Sequence, residues 1–221
     1  MRRARLLLPA ALGVLLLAAL AFAIVASKDS STKPTTSPVV NVPPDSNRAP
    51  IPSQGGFDGA ALPGGRQAPA FSLTDQYGRP VSLDSLRGEP VLLAFLYSRC
   101  GAPCVLIAQQ IRGALDELGD HPVAVAIISA DPAGDDAKAV RRFLAAVSLS
   151  GRVHYLTGTQ AQLDSVWKAY RVRPAAAGAS TFAKYAMVRL LDSRGRERVL
   201  YGAEQLTPEA LVHDVGMLRG G

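Results

Sequence analysis

From residue 67 onward the apolar positions change period several times, and each period predicts an element. Phe71-Ser-Leu73 and Val81-Ser-Leu83 alternate apolar and polar residues around Asp75-Gln-Tyr-Gly-Arg79, the signature of a hairpin. Val91 to Tyr97 is continuously apolar, as a strand covered on both faces should be, and Val123 to Ile128 repeats the pattern. Between them Leu106, Ile107, Ile111, Leu115 and Leu118 recur at helical spacing and Gly119 supplies a stop, so a helix crosses over. Asp136 to Ser148 carries Val140, Phe143, Leu144 and Val147 on one stripe, and Gln160 to Tyr170 carries Leu163, Val166, Trp167 and Tyr170; both predict amphipathic helices packed on the sheet. Tyr185 to Leu191 and Glu197 to Tyr201 flank the turn residues Asp192-Ser-Arg-Gly195, a second hairpin, and a last helix starts at Thr207-Pro208. The order is α/β, with a hairpin near each end.

The N-terminal third has a different texture. Met1-Arg-Arg-Ala-Arg5 precedes an uncharged run, Leu6 to Ala26, whose 21 residues would make a helix of about 31 Å. That length fits a signal anchor over residues 1–27, while Ala21-Phe-Ala23, with Pro9 and Gly13, leaves a cleaved signal peptide as the alternative. Either way Arg2, Arg3 and Arg5 stay on the cytoplasmic side and the rest is exported. Residues 28–66 are rich in Pro, Ser, Thr, Asn and Gly without a period and read as a disordered tether. Residues 67–221 are one domain's worth of chain.

Charge changes little in this picture. The formal net charge is +6, but from residue 66 onward 18 basic residues face 15 acidic ones, a difference of +3, and they are dispersed. A nucleic-acid partner is not indicated.

The candidate chemistry lies in Tyr97-Ser-Arg-Cys-Gly-Ala-Pro-Cys104. Cys100 and Cys104 are the chain's two cysteines, and random placement would put two cysteines four apart in roughly one case in a hundred. With Pro103 in the first helical turn, Cys100 falls at or just before a helix N-terminus and Cys104 one turn in. Exposed N–H groups and neighbouring Arg99 should depress the thiol pKa of Cys100, making it the more reactive sulfur. The spacing also permits a disulfide, and two thiolates suit a soft ion, Cu(I) above all. A structural disulfide is the plainer alternative, although so short a loop gains little from one. Tetrahedral zinc lacks ligands, since only His121, His154 and His213 supplement the cysteines.

These residues resemble the Sco/SenC family. The resemblance covers about residues 67–218 and rests on Phe71-Ser-Leu-Thr-Asp-Gln-Tyr-Gly-Arg79, the strand and CxxxC from Val91 to Cys104, Ile128-Ser-Ala-Asp-Pro132, Tyr155-Leu-Thr-Gly158, Val166-Trp-Lys-Ala-Tyr170 and Leu190-Leu-Asp-Ser-Arg-Gly-Arg196. It implies a thioredoxin-like fold, a central mixed sheet flanked by helices with an N-terminal hairpin, preceded here by one transmembrane or signal helix. It implies a single-pass membrane protein with its C-terminal domain outside the cytoplasm, assisting cytochrome c oxidase assembly by Cu(I) handling, thiol reduction, or both. The implied partner is the oxidase's copper-site subunit or another exported thiol protein, and the implied ligands are Cys100 and Cys104. Two departures stand out: Val105 replaces a proline, and the family's copper-ligating His falls near Lys184, in a segment without histidine. A protonated Lys has no lone pair to offer. It would instead favour a thiolate, so a thiol–disulfide oxidoreductase without copper and an inert disulfide module stay open as alternatives. Arg99, Asp131 and Lys184 are expected to modulate the pair, Asp131 having a plain turn role as its alternative; His121, His154 and His213 are not expected to be ligands, and Trp167 and Tyr170 are expected in the core.

Overall fold

The computed structural model describes residues 54–174, 182 and 186–220. After a 3-10 turn at Gln54–Gly56 come strands β1 (Ala60–Gln67), β2 (Ser72–Thr74) and β3 (Pro80–Ser82), a 3-10 turn at Asp84–Leu86, and β4 (Val91–Leu96). Helix α1 (Ala102–Leu118), β5 (Ala124–Ser129), α2 (Ala137–Ala146), β6 (His154–Leu156), α3 (Gln160–Tyr170), β7 (Met187–Leu191), β8 (Arg196–Gly202) and α4 (Pro208–Arg219) follow. β1, β8, β7, β4, β5 and β6 form one sheet in that order, while β2 and β3 form a separate hairpin. β4, β5 and β6 run parallel; β7, β8 and β1 are antiparallel to their neighbours.

β4 explains why its sequence is apolar throughout. Leu92, Ala94 and Leu96 enter a core with α1, α2 and α4, contributing residues such as Ile107, Phe143 and Leu211. Val91, Leu93 and Phe95 enter a second core on the other face, with Leu73 and Val81 of the hairpin and Leu163, Trp167 and Tyr170 of α3. Successive side chains on a strand point to opposite faces, so a strand covered on both needs no polar position. The hairpin is tied to the sheet by reciprocal backbone bonds between Thr74 and Thr157, at 2.9 and 2.8 Å. Thr207 caps α4 and Asp136 caps α2, each accepting first-turn backbone N–H groups.

The boundary between tether and domain lies earlier than the sequence indicates. β1, inside the expected tether of residues 28–66, pairs antiparallel with β8 from Ala60↔Leu200 to Gln67↔Arg196, with an irregularity between Ala61 and Arg66. It is an edge strand with no buried residue of its own. The ladder therefore rests on backbone groups and leaves no apolar alternation to read, and Pro63 is tolerated at such an edge. Just before it, Phe57 is buried in the α1 core. The Asp58 and Gly59 N–H groups donate to the fully buried Asp214 carboxylate at 2.8 and 3.0 Å. Gly59 must be glycine: a Cβ there would lie 2.4 Å from Val199 Cγ1. Among the described residues no helix is long and apolar enough to cross a membrane. The expected anchor at 1–27 and the tether as far as residue 53 lie outside them.

Candidate functional site

β4 and β5 are parallel neighbours that end together, Leu96 opposite Ser129. The loops leaving their carboxyl ends, the usual place for a site in such sheets, carry the chemistry. The β4 loop turns with the Cys100 N–H donating to the Tyr97 carbonyl at 3.2 Å. Gly101 follows with φ 78° and ψ −150°, a conformation available to glycine alone, and Pro103 stands in the first turn of α1. Cys100 thus precedes the helix N-terminus and Cys104 lies in its first turn, as the spacing predicts. The two are joined in a disulfide with Cα atoms 5.7 Å apart. In this oxidised state neither sulfur is a thiolate, and Cys100 and Cys104 are only 4% and 1% exposed. Tyr97 and Phe182 meet edge to face at 5.1 Å beside them.

The β5 loop is laced to the cysteine loop. Arg99, exposed, donates from Nε to the Gly134 carbonyl at 3.3 Å. Asp131 accepts the Gly134 N–H on Oδ1 at 3.2 Å, and its carbonyl accepts the N–H groups of Gly134 and Asp135. A Cβ on Gly134 would sit 2.2 Å from Asp131 Oδ2 and 3.1 Å from Arg99 Nε, so Arg99 and Asp131 converge on this glycine. Lys184 lies outside the described residues. The histidines are placed elsewhere: His121 follows the far end of α1, His154 opens β6 with Nδ1 3.7 Å from Asp75 Oδ2, and His213 bonds Asp214 at 2.9 Å. Trp167 and Tyr170 are buried on α3 as expected, Trp167 Nε1 donating to the Ser129 carbonyl at 3.0 Å.

A position beside the cysteine loop that the sequence pattern did not expose is Asp135. Its carboxylate, 5% exposed, accepts the Ser98 N–H at 2.7 Å, the Ser129 hydroxyl at 2.6 Å and the Tyr155 hydroxyl at 2.7 Å. One buried charge thereby fixes the cysteine loop to the ends of β5 and β6. Burial, reinforced by Asp135, pushes the Tyr155 hydroxyl pKa well above its ordinary value. Burial and the charges of Asp131 and Asp135 raise that of Tyr97 as well. The one available signal was the doublet Asp135-Asp136, in which one acid caps α2 and the other turns inward. Ser98 Oγ, two residues before Cys100, is buried without a hydrogen-bond partner.

For a metal, the donors at this loop are the two sulfurs, available once reduced, and thiolates suit Cu(I). Among the described residues the cluster of three potential ligands is Asp58, His213 and Asp214 on the N-terminal segment and α4. The Asp214 carboxylate of that cluster already accepts two backbone N–H groups and the Tyr201 hydroxyl.

With this geometry the chain compares closely with proteins of one kind. Protein SCO2, mitochondrial, of Saccharomyces cerevisiae is 31% identical over 105 residues, 46% of this chain and 34% of the relative. The SCO1 protein homolog of Bacillus subtilis is 32% identical over 98 residues, 42% of this chain and 51% of the relative. The matches thus span a third to a half of those relatives' lengths. Among solved structures, BsSco, a member of the Sco family of cytochrome c oxidase assembly proteins in which a disulfide switch was identified, superposes with a TM-score of 0.61 at 22% identity. The superposition covers 73% of this chain and 97% of that one. Yeast Sco1 with copper bound superposes with a TM-score of 0.59 at 20% identity, covering 70% and 92%. These neighbours share the α/β, thioredoxin-like fold expected from the sequence, and the SCO1/SenC sequence profile matches residues 60–218, beginning at β1. The chain belongs to the SCO1/SenC family.

Proposed function

We propose that this protein assists assembly of the copper centre of cytochrome c oxidase, and that the working group is the Cys100–Cys104 pair acting as a reversible dithiol. The observation that carries this reading is the disulfide at the junction of β4 and α1, at the carboxyl end of the parallel strands. In the reduced state the N-terminal end of α1 and the Arg99 guanidinium favour a thiolate at Cys100. That thiolate attacks one sulfur of a partner disulfide, and the partner's other sulfur leaves as a thiolate. Cys104 then attacks Cys100 Sγ, which releases the partner's second sulfur and forms the bridge described above. Two electrons and two protons pass to the partner, and a dithiol donor must reset the pair. The natural partner is the oxidase's copper-site subunit or another exported thiol protein. Residues 1–27 would hold the domain at the membrane, on its extracytoplasmic side.

Copper handling is the second reading, supported by relatives such as yeast Sco1 and Bradyrhizobium japonicum ScoI, whose structures contain copper. Here Cu(I) is cargo, held by the two thiolates and passed on by ligand exchange, the partner's thiolates replacing Cys100 and Cys104 on the ion with no change of oxidation state. Lys184, in place of the expected histidine, weighs against tight binding and for thiol exchange. A Cu(I) titration of the reduced full chain against bicinchoninate, with Cys100→Ser and Lys184→His variants, separates the two. Thiol exchange predicts weak binding in the wild type and a gain in Lys184→His. Tight wild-type binding that Cys100→Ser abolishes would instead make copper the cargo. A disulfide potential below about −300 mV, with no reaction toward partner disulfides, would sink both readings.

A further inference from the structure

Helix α4 carries an imidazole and a thioether on one face. His213 and Met217 stand one turn apart, so their side chains are neighbours on the helix surface, with Cβ atoms about 5–6 Å apart. With Gly216 and Gly220 they line one surface hollow, and a Cβ on Gly216 would meet nothing within 4 Å, so the space between them is open. Both side chains also reach the segment before β1. A Cβ on Gly56 would lie 3.3 Å from Met217 Cε, and His213 Nδ1 is 3.4 Å from Asp58 Oδ2.

The imidazole is oriented rather than free. His213 is half-exposed, yet its Nδ1 lies 2.9 Å from Oδ1 of the fully buried Asp214. That carboxylate accepts the N–H groups of Asp58 and Gly59 and the Tyr201 hydroxyl, donors from two other segments that fix it in place. A carboxylate has only acceptor atoms, so the neutral imidazole carries its proton on Nδ1 and keeps the Nε2 lone pair, on the far side of the ring, for another partner. A ring nitrogen held by a carboxylate, with the other left open, is the arrangement of metal-ligating histidines. Asp214 already has its hydrogen-bond donors and acts here as the orienting group. The remaining donor beside Nε2 is the sulfur of Met217, 44% exposed. Thioether and imidazole together suit a soft cation, and the thioether selects Cu(I) over the harder divalent ions.

We propose that His213 Nε2 and Met217 Sδ form a surface site for Cu(I), with Asp214 as the residue that positions the imidazole. The ion keeps its oxidation state there, and the site stands whichever reading of the cysteine pair holds.

The test uses the full chain with its disulfide intact, so that no thiolate competes for the metal. The protein, labelled with ¹³C-methyl methionine and held in a neutral detergent, is titrated in chloride-free buffer with Ag(I), the redox-inert stand-in for Cu(I), and separately with Zn(II). The buffer is set to about pH 8.5, because the Asp214 hydrogen bond raises the His213 pKa and the proton competes for Nε2. Met217→Leu assigns the Met217 signal, and Met187, on β7, is the internal reference. The expected result is a saturable shift of the Met217 methyl signal with Ag(I), reproduced by Cu(I) under ascorbate, while Met187 stays still and Zn(II) has no matching effect. His213→Gln, at a half-exposed position, should weaken Ag(I) binding by at least about tenfold, the scale on which even an orienting partner matters to a metal site. An unshifted Met217, equal shifts of Met187 and Met217, a Zn(II) response matching that of Ag(I), no response to Cu(I), or undiminished binding in His213→Gln would each overturn the assignment.

Discussion

Replacing Asp135 by Ala removes the acceptor that joins the cysteine loop to β5 and β6. Three donors lose a charged partner: the Ser98 N–H, the Ser129 hydroxyl and the Tyr155 hydroxyl, at 2.6 to 2.7 Å. Hydrogen bonds to charged groups contribute about 1.5–3 kcal/mol each. Two offsets reduce the sum. Tyr155 can fall back on the Leu96 carbonyl, 3.4 Å away, and the protein no longer holds a carboxylate out of water. A net loss of about 3–4 kcal/mol results, a large share of the roughly 5–15 kcal/mol that stabilises a typical domain. Asp135→Asn keeps one acceptor for Ser98 and a group of the same shape, so it should lose about 1–2 kcal/mol. Equilibrium unfolding of the oxidised protein in urea, with m unchanged, measures both. Ultraviolet titration of the tyrosines adds a second readout: removing the charge should lower the pKa of Tyr155 and Tyr97, which Asp135 helps to raise. A loss below about 1 kcal/mol in the Ala variant, or equal losses in Ala and Asn, would refute the view of this carboxylate as the anchor of the loop.

Reducing the disulfide should destabilise the fold by only about 2 kcal/mol, because the bridge spans a sequence separation of 4 and constrains the unfolded chain little. Urea midpoints with and without a phosphine reductant test this, and a loss above about 5 kcal/mol would mean that the bridge is chiefly structural. The Asp214 hydrogen bond, partly opposed by desolvation and aided by Asp58, holds the His213 pKa above its usual value, so the imidazolium favours the folded state below about pH 6.5 and that contribution fades as pH rises through the folded pKa. Wild type should therefore gain over His213→Ala at pH 5.5 relative to pH 8.5, by less than about 1 kcal/mol at this half-exposed site, and a gain that grows with pH would contradict the assignment. Gly134→Ala should cost about 1–3 kcal/mol, since its methyl group meets the Asp131 carboxylate. In a double-mutant cycle Asp131→Ala should recover part of that loss, and strict additivity would show that the two residues do not meet.

The elements flanking the site were legible because each leaves a local trace. β4 and β5 are unbroken apolar runs, α1 to α3 carry 3.6-residue stripes, and Thr207-Pro208 marks the start of α4. The cysteine pair and its place at a helix start follow from that order of elements, whereas the nearness of the Asp131 segment to the cysteine loop is implied only by the resemblance to the Sco/SenC family. β1 left no such trace, because an edge strand held by backbone bonds to β8 needs no apolar period.

What the sequence by itself determined is therefore the α/β order, the two-sided burial of the central strands and the spacing of the sulfurs, all properties of neighbours along the chain. Tertiary structure alone decided the rest. It chose Asp135 over Asp136 for burial, brought Asp58 and Gly59 to Asp214 across 156 and 155 positions of chain, and joined Arg66 and Arg189 to one buried carboxylate, Glu197. Those pairings join polar groups far apart in sequence, and their energy exists only once the surrounding apolar residues have excluded water.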